Sequence, residues 1–188
     1  RYPLVTGVQT CALPIFFPYK TYVLRKRNLT VKKVFVTTFA SLLLATSIAP
    51  ANAAAEKGWR YWGYFQAAPG ANAWNYALTG PAGSLPKDGA TEGWKFSFSS
   101  NTVDTGNPTL KPNFKAICSG TSAQSGMVRV AVVVEFGLRA IAPKGENVQP
   151  TIRKCVSVKP GTNGLEILNK VVSVRTSADG FVCGLNNY

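Results

Sequence analysis

Apolar and polar positions alternate with a period of two over three stretches of the chain: "GWRYWGYFQ", "NAWNYALTGP" and "EGWKFSFSS". In the first, Trp59, Tyr61 and Gly63 alternate with Arg60, Trp62 and Tyr64. In the second, Trp74 and Tyr76 share a face. In the third, Trp94, Phe96 and Phe98 alternate with Lys95, Ser97 and Ser99. Alternation rich in Trp, Tyr and Phe predicts strands, and together the stretches predict a small antiparallel unit with aromatic cross-strand pairs. "PAGSLPKDGA", between the last two, reads as a Gly/Pro-punctuated loop.

Further on, "NTVDTGNPTLKPN" lacks periodicity and predicts a long loop, and "FKAICSG" a short helix ending at Gly120. "MVRVAVVVEFG" is the strongest strand signal in the chain. It is apolar on both faces over residues 130–134, the pattern of a central strand covered on both sides. "APKGENVQP" is a loop and "TIRKCVSV" a shorter strand. "TNGLEILNKVVSV" is the clearest helix, with Asn163 at the N-cap, Glu166 at capping-box spacing, and Leu165, Leu168, Val171 and Val172 on one face. "GFVCGLNNY" is a final strand. Strands with few helices and no βα alternation predict an α+β fold, a small and mostly antiparallel sheet with one main helix.

The N-terminal quarter does not fit this domain. "VTGVQTCALPI", residues 5–15, resembles one reading frame of a common sequencing-library adapter, so residues 1–15 are read as an assembly artefact and set aside from fold reasoning. The sole Met is Met127. Val31, through a GTG codon, is the expected start, with Leu29 (TTG) a second candidate, which makes residues 16–30 untranslated read-through. From Val31 the chain shows a basic n-region (Lys32, Lys33), an apolar run over 34–48 and a small-x-small site at Ala51-Asn52-Ala53. That is a signal peptide over 31–53, its apolar run shorter than the roughly 20 residues of a membrane span. An uncleaved anchor is the competing reading. Residues 54–188 form the single expected domain, secreted or held at the cell surface.

Charge and cysteine content narrow the picture. Of 21 Lys and Arg, seven lie in residues 1–53, which have no Asp or Glu. The net +13 of the whole chain therefore becomes +6 over 54–188, scattered rather than clustered. This suits an anionic wall or lipid surface and argues against nucleic acid. With Cys11 set aside, Cys118, Cys155 and Cys183 remain, and an exported chain is expected to form disulfides. The simplest pairing is Cys118 with Cys155, leaving Cys183 for a cysteine beyond Tyr188. Cys183 with either of the others stays open, and the odd count predicts a chain that continues past Tyr188.

Catalysis finds little support. There is no His, so Ser-His-Asp and Cys-His arrangements are excluded, and with no CxxC spacing a metal centre is not expected. Glu92, Asp104, Glu135 and Glu146 show no spacing that makes them converge. Glu135, at the end of the apolar strand, is the best single candidate, and a solvated strand end is the favoured reading of it. The expectation is a non-enzymatic domain without a cofactor. The aromatic block, read either as core filling or as a ligand-facing platform, supplies the candidate binding residues Trp62, Tyr64, Trp74, Tyr76 and Trp94.

"YWGYF", "DGATEGWKFSFS", "FKAIC", "RVAVVVEFG", "NGLEILNKVVSVRT" and "GFVCGLNNY" occur in this order in a family of small uncharacterised exported proteins of Gram-positive bacteria, and residues 57–188 resemble that family. Its members are often encoded beside components of energy-coupling-factor transporters, which implies a small-molecule ligand and a membrane transporter as partners. In that family a further cysteine follows the last strand. A second resemblance is to the C-terminal domain of transcobalamin-type proteins in permuted order, with "GLEILNKV" and "GFVCGLNN" following "YWGYF" and "DGATEGWKF". It implies a β-grasp-like α+β fold, a vitamin or corrinoid as ligand, and Trp62, Tyr64, Trp74 and Trp94 on the ligand side. The function these readings lead to is capture of a small ligand at the cell surface for a transporter. A structural or adhesive wall-associated protein is the alternative.

Overall fold

The computed structural model describes residues 14–17, 56–104 and 106–188, with side chains from Lys57 onward. The adapter-like segment apart from Pro14 and Ile15, the segment 16–30 apart from Phe16 and Phe17, and the leader over 31–53 lie outside the described residues. Two compact units divide the chain, and residues 57–188 all belong to one of them; that unit is described here.

The fold is α+β. After a short strand β1 (Pro14–Phe17) in chain order, the main sheet of this unit is built from β2 (Glu56–Ala67), β4 (Thr91–Ser100), β5 (Val128–Glu135) and β6 (Ile152–Val158) in that spatial order, with the two-residue β3 (Asn75–Tyr76) also on β2. A hairpin of β7 (Val174–Thr176) and β8 (Val182–Leu185) forms a second sheet. The two α-helices are single turns or little more, α1 (Phe114–Ile117) and α2 (Gly164–Asn169). Among the described residues no helix is long and apolar enough to cross a membrane.

The aromatic strands pair as their alternation predicts. β2 runs antiparallel to β4 with Trp62 opposite Phe96, Tyr64 opposite Trp94 and Gln66 opposite Glu92. β4 then pairs with β5 in parallel, Thr91 beside Ala131 and Lys95 beside Glu135, and β5 is antiparallel to β6. Residues 130–134 are fully buried, because β5 lies inside the sheet and both faces are covered. On one face Ile117 of α1 packs onto Phe65, Ala67, Trp74 and Val133. On the other, Ile167 and Leu168 of α2 are fully buried, and Trp62, Phe96, Phe136 and Tyr188 meet edge-on. The sequence reading of two covered faces therefore holds for β4 as well, whose first eight residues are all buried.

Two elements are shorter than the sequence predicts. The helix reading ran through Val171 and Val172, yet α2 stops at Asn169. Its capping box is formed, with Glu166 N donating to Asn163 Oδ1 (3.0 Å) and Asn163 N to Glu166 Oε2 (3.2 Å). Beyond it the chain is dense in Val, which is stiff at χ1 and suits a strand, and Ser173 N is taken by Asn186 Oδ1 from the final turn. The strand expected around Trp74 is reduced to β3. Trp74 instead lies against the sheet at Gly93, where a Cβ would stand 2.8 Å from its ring, and its Nε1 donates to Leu110 O (2.6 Å).

Cys118 at the end of α1 is bonded to Cys155 of β6, with Cα atoms 4.9 Å apart. Cys183 is disulfide-bonded as well.

Candidate functional site

The register of β2 on β4 sets Gln66 directly opposite Glu92. Both are in phase with the inward-facing aromatics Tyr64 and Trp94, so two polar side chains are carried into the covered face of the sheet. Ser84, from the loop after a 3-10 turn at Pro81–Gly83, closes the group. Gln66 Nε2 donates to Tyr64 Oη (3.0 Å) and to Ser84 Oγ (2.6 Å). Tyr64 Oη and Ser84 Oγ (3.2 Å) both donate to Glu92 Oε1. Both amide hydrogens of Gln66 are thus used, and both hydroxyls are committed to giving their protons to one carboxyl oxygen. Glu92 Oε2 has no hydrogen-bond partner among the described residues, and Glu92 is only 1% exposed.

Burial governs the electrostatics of this group. Desolvation pushes the Glu92 carboxyl up to about 7, against the smaller opposing effect of the hydrogen bonds from Tyr64 and Ser84. Desolvation also raises the Tyr64 phenol far above its ordinary value, reinforced by the charge and hydrogen bond of Glu92. The start of α2 seals one side. Gly164 N donates to Ser84 O (3.0 Å), and a Cβ on Gly164 would stand 2.7 Å from Tyr64 Oη and 2.8 Å from Glu92 Oε1. Only a glycine allows this approach.

Gln66, Ser84 and Glu92 also border a cleft of about 560 Å³, walled by Ala67, Ala68, Pro69, Leu85, Pro86 and Ala90, with Lys87 and Thr79 among its other lining residues. The volume falls within the roughly 300–1,000 Å³ usual for small-molecule sites, as does the pattern of apolar walls with a few convergent polar groups.

The aromatic candidates divide between the two faces of the sheet. Trp62, Tyr64 and Trp94 share the α2 face, where Tyr64 stacks on Trp94 at 4.5 Å. Trp74 lies on the α1 face with Phe65, against whose ring the exposed Tyr76 (58%) stands edge-on. Trp62, Tyr64, Trp74 and Trp94 are all buried, and none of the five lines the cleft, although Tyr64 is bonded to Gln66 and Glu92, which do. Trp59, on the opposite phase from Trp62, is 49% exposed.

Glu135 corrects an expectation. It is not a solvated strand end but is 5% exposed, and it accepts from Thr109 N (2.9 Å), Thr109 Oγ1 (3.0 Å) and Leu110 N (2.8 Å). Its neighbour Lys95, also buried, donates to Asn107 O (2.7 Å). Together they tie the loop before α1 to the sheet. Glu92 and Lys95 are three apart on β4, so Glu92 and Glu135 occupy opposite faces and do not converge. Among the described residues no cluster of His, Cys, Asp or Glu is placed to hold a metal ion.

Sequence reasoning named Glu92 among the carboxylates but passed over it, together with Gln66 and Ser84. A signal for two of the three was present: an acid and an amide in phase with rows of inward-facing aromatics. Ser84 had none, since its place depends on how the Pro/Gly loop folds back.

Fold and cleft define a small α+β domain with a pocket over a buried carboxyl network. Residues 54–188 match the SCO2322-like domain model, and the chain belongs to that family. No curated protein and no solved structure matches the chain.

Proposed function

We propose that this domain binds a small organic ligand outside the cell and passes it to a membrane transporter, without catalysing a reaction on it. The observation that carries the reading is the cleft of about 560 Å³ with apolar walls and the Gln66–Ser84–Glu92 group at its polar end. A pocket of this size suits a vitamin-sized molecule better than a whole corrinoid macrocycle. Export and delivery to a transporter rest on the leader pattern of residues 31–53 and on the family resemblance.

Tryptophan fluorescence provides the test. Trp94 stacks on Tyr64, which is bonded to Glu92, so a molecule entering the cleft changes the surroundings of a buried indole. Titrating the purified protein with a panel of water-soluble vitamins is expected to give a saturable change for at least one of them, lost on Ala90→Phe, which enlarges a buried wall residue of the cleft without adding an indole. A flat response across the panel, with the protein retained on isolated cell wall, would replace this reading with the adhesive one, to which exposed Trp59 and Tyr76 would then contribute.

A further inference from the structure

The cleft is walled largely by apolar residues, and among its polar lining residues Glu92 carries a carboxyl group that is almost fully buried and lacks a counter-charge. The hydrogen bonds decide which forms that group can take. Tyr64 and Ser84 both donate to Oε1 and each accepts from Gln66 Nε2, so turning either hydroxyl round would give up its bond to the carboxyl. A proton on Glu92 therefore resides on Oε2, the oxygen without a partner among the described residues.

The groups facing the carboxyl from each packed element are few. β2 supplies Tyr64 and Gln66, the loop supplies Ser84, and α2 presents the Gly164 backbone. Glu166 of α2 is spent on its own capping box. Of the cleft-lining residues the basic one is Lys87, which is exposed. Two hydroxyl donors on one oxygen, with none on the other, do not compensate this buried carboxylate. It stays neutral or acquires a cation.

We infer that the ligand is a small organic cation, an ammonium head on an apolar body, with the head seated at the Gln66–Ser84–Glu92 end of the cleft and the body against Ala67, Pro69, Leu85, Pro86 and Ala90. The inference rests on the cleft being the binding site. Binding couples to a proton: where Glu92 is protonated, one proton leaves for solvent from Oε2 as the ammonium arrives, and carboxylate and ammonium pair. Affinity for a cation therefore rises with pH through the midpoint of Glu92, whereas affinity for a neutral molecule of the same shape does not.

The test is an amide NMR titration of the purified protein with n-alkylammonium chlorides and, separately, with alcohols of the same chain length, at pH 5.5 and pH 8. Alkylammonium ions are expected to shift the amides of Gln66, Ser84 and Glu92 saturably, with affinity about thirty-fold higher at pH 8 than at pH 5.5, as for a carboxyl with its midpoint at about 7 that must ionise to bind. The alcohols are expected to bind more weakly and without pH dependence. Glu92→Gln should remove both the preference and its pH dependence. Because that variant alters a buried network, Lys87→Glu supplies a second reading at an exposed position, where cation binding should tighten about two- to five-fold. Alcohols binding to the same amides as well as the ammonium ions do, or Lys87→Glu leaving affinity unchanged, would overturn the cationic ligand while leaving the cleft as a site. Shifts confined to other residues for every probe would remove the cleft reading itself.

Discussion

Glu92 is the residue at which stability and ligand chemistry meet. Its carboxyl in the folded protein titrates near 7, against an ordinary value near 4.5, because burial disfavours the anion. The folded state therefore holds the proton more tightly than the unfolded chain. The favourable contribution is complete below about pH 4.5, declines as pH rises, and is gone above about 7. Unfolding by urea should show the protein losing up to about 3 kcal/mol between pH 5 and pH 8 from this group. In Glu92→Gln that slope should disappear, leaving only the opposing low-pH contribution of groups such as Asp88, whose carboxyl is held below its usual range chiefly by the backbone N–H of Arg129. A second substitution probes the seal over the same group. Gly164→Ala pushes a methyl into Tyr64 and Glu92 and should cost about 1–3 kcal/mol, as overpacking does, read as a lower urea midpoint at unchanged slope. Alternation alone made the inward phase of Glu92 and Gln66 legible. The need for a glycine at position 164 was not, since it arises from a contact between α2 and strands distant in the chain.

Among the elements, the strands were the most legible part of the sequence because burial of aromatic and β-branched side chains on a pleated surface leaves a period-two trace. The helix and the strand at Trp74 were over-extended for a common reason: tertiary bonds took their ends. Asn186 captures Ser173, and Leu110 captures Trp74. The loop before α1 carried no periodicity at all, yet it is fixed in place, because Glu135 and Lys95 reach out of the sheet to its backbone. Glu135→Gln should speed hydrogen exchange at the amides of Thr109 and Leu110 while those within β5 stay protected. The global cost should be about 1–3 kcal/mol for weakening charge-assisted bonds to a buried carboxylate. Equal exchange rates in the two proteins would show that the loop is held by something else, with the bond from Trp74 Nε1 to Leu110 O the next candidate.

In the whole molecule, the sheet is closed on both faces by segments of little regular structure, and covalent bonds support that covering. The Cys118–Cys155 bridge spans 37 residues, and a loop of that length is worth about 4 kcal/mol in the chain-entropy account. The double variant Cys118→Ser with Cys155→Ser should lose stability of that order in urea, with its near-ultraviolet circular dichroism otherwise native. One feature of the sheet also bears on how the chain reaches this state. β4 and β5 lie side by side in parallel, so neither can zip onto the other through a tight turn, and the intervening segment has to loop back before the first rung forms. The entropy of that closure falls due before any contact between the two strands can offset it. Folding should accordingly run on the millisecond-to-second scale of non-local β proteins. Oxidation of Cys118 and Cys155 before refolding should stabilise the product without removing that slow step, since both cysteines lie beyond β4 and the bridge does not shorten the loop between β4 and β5.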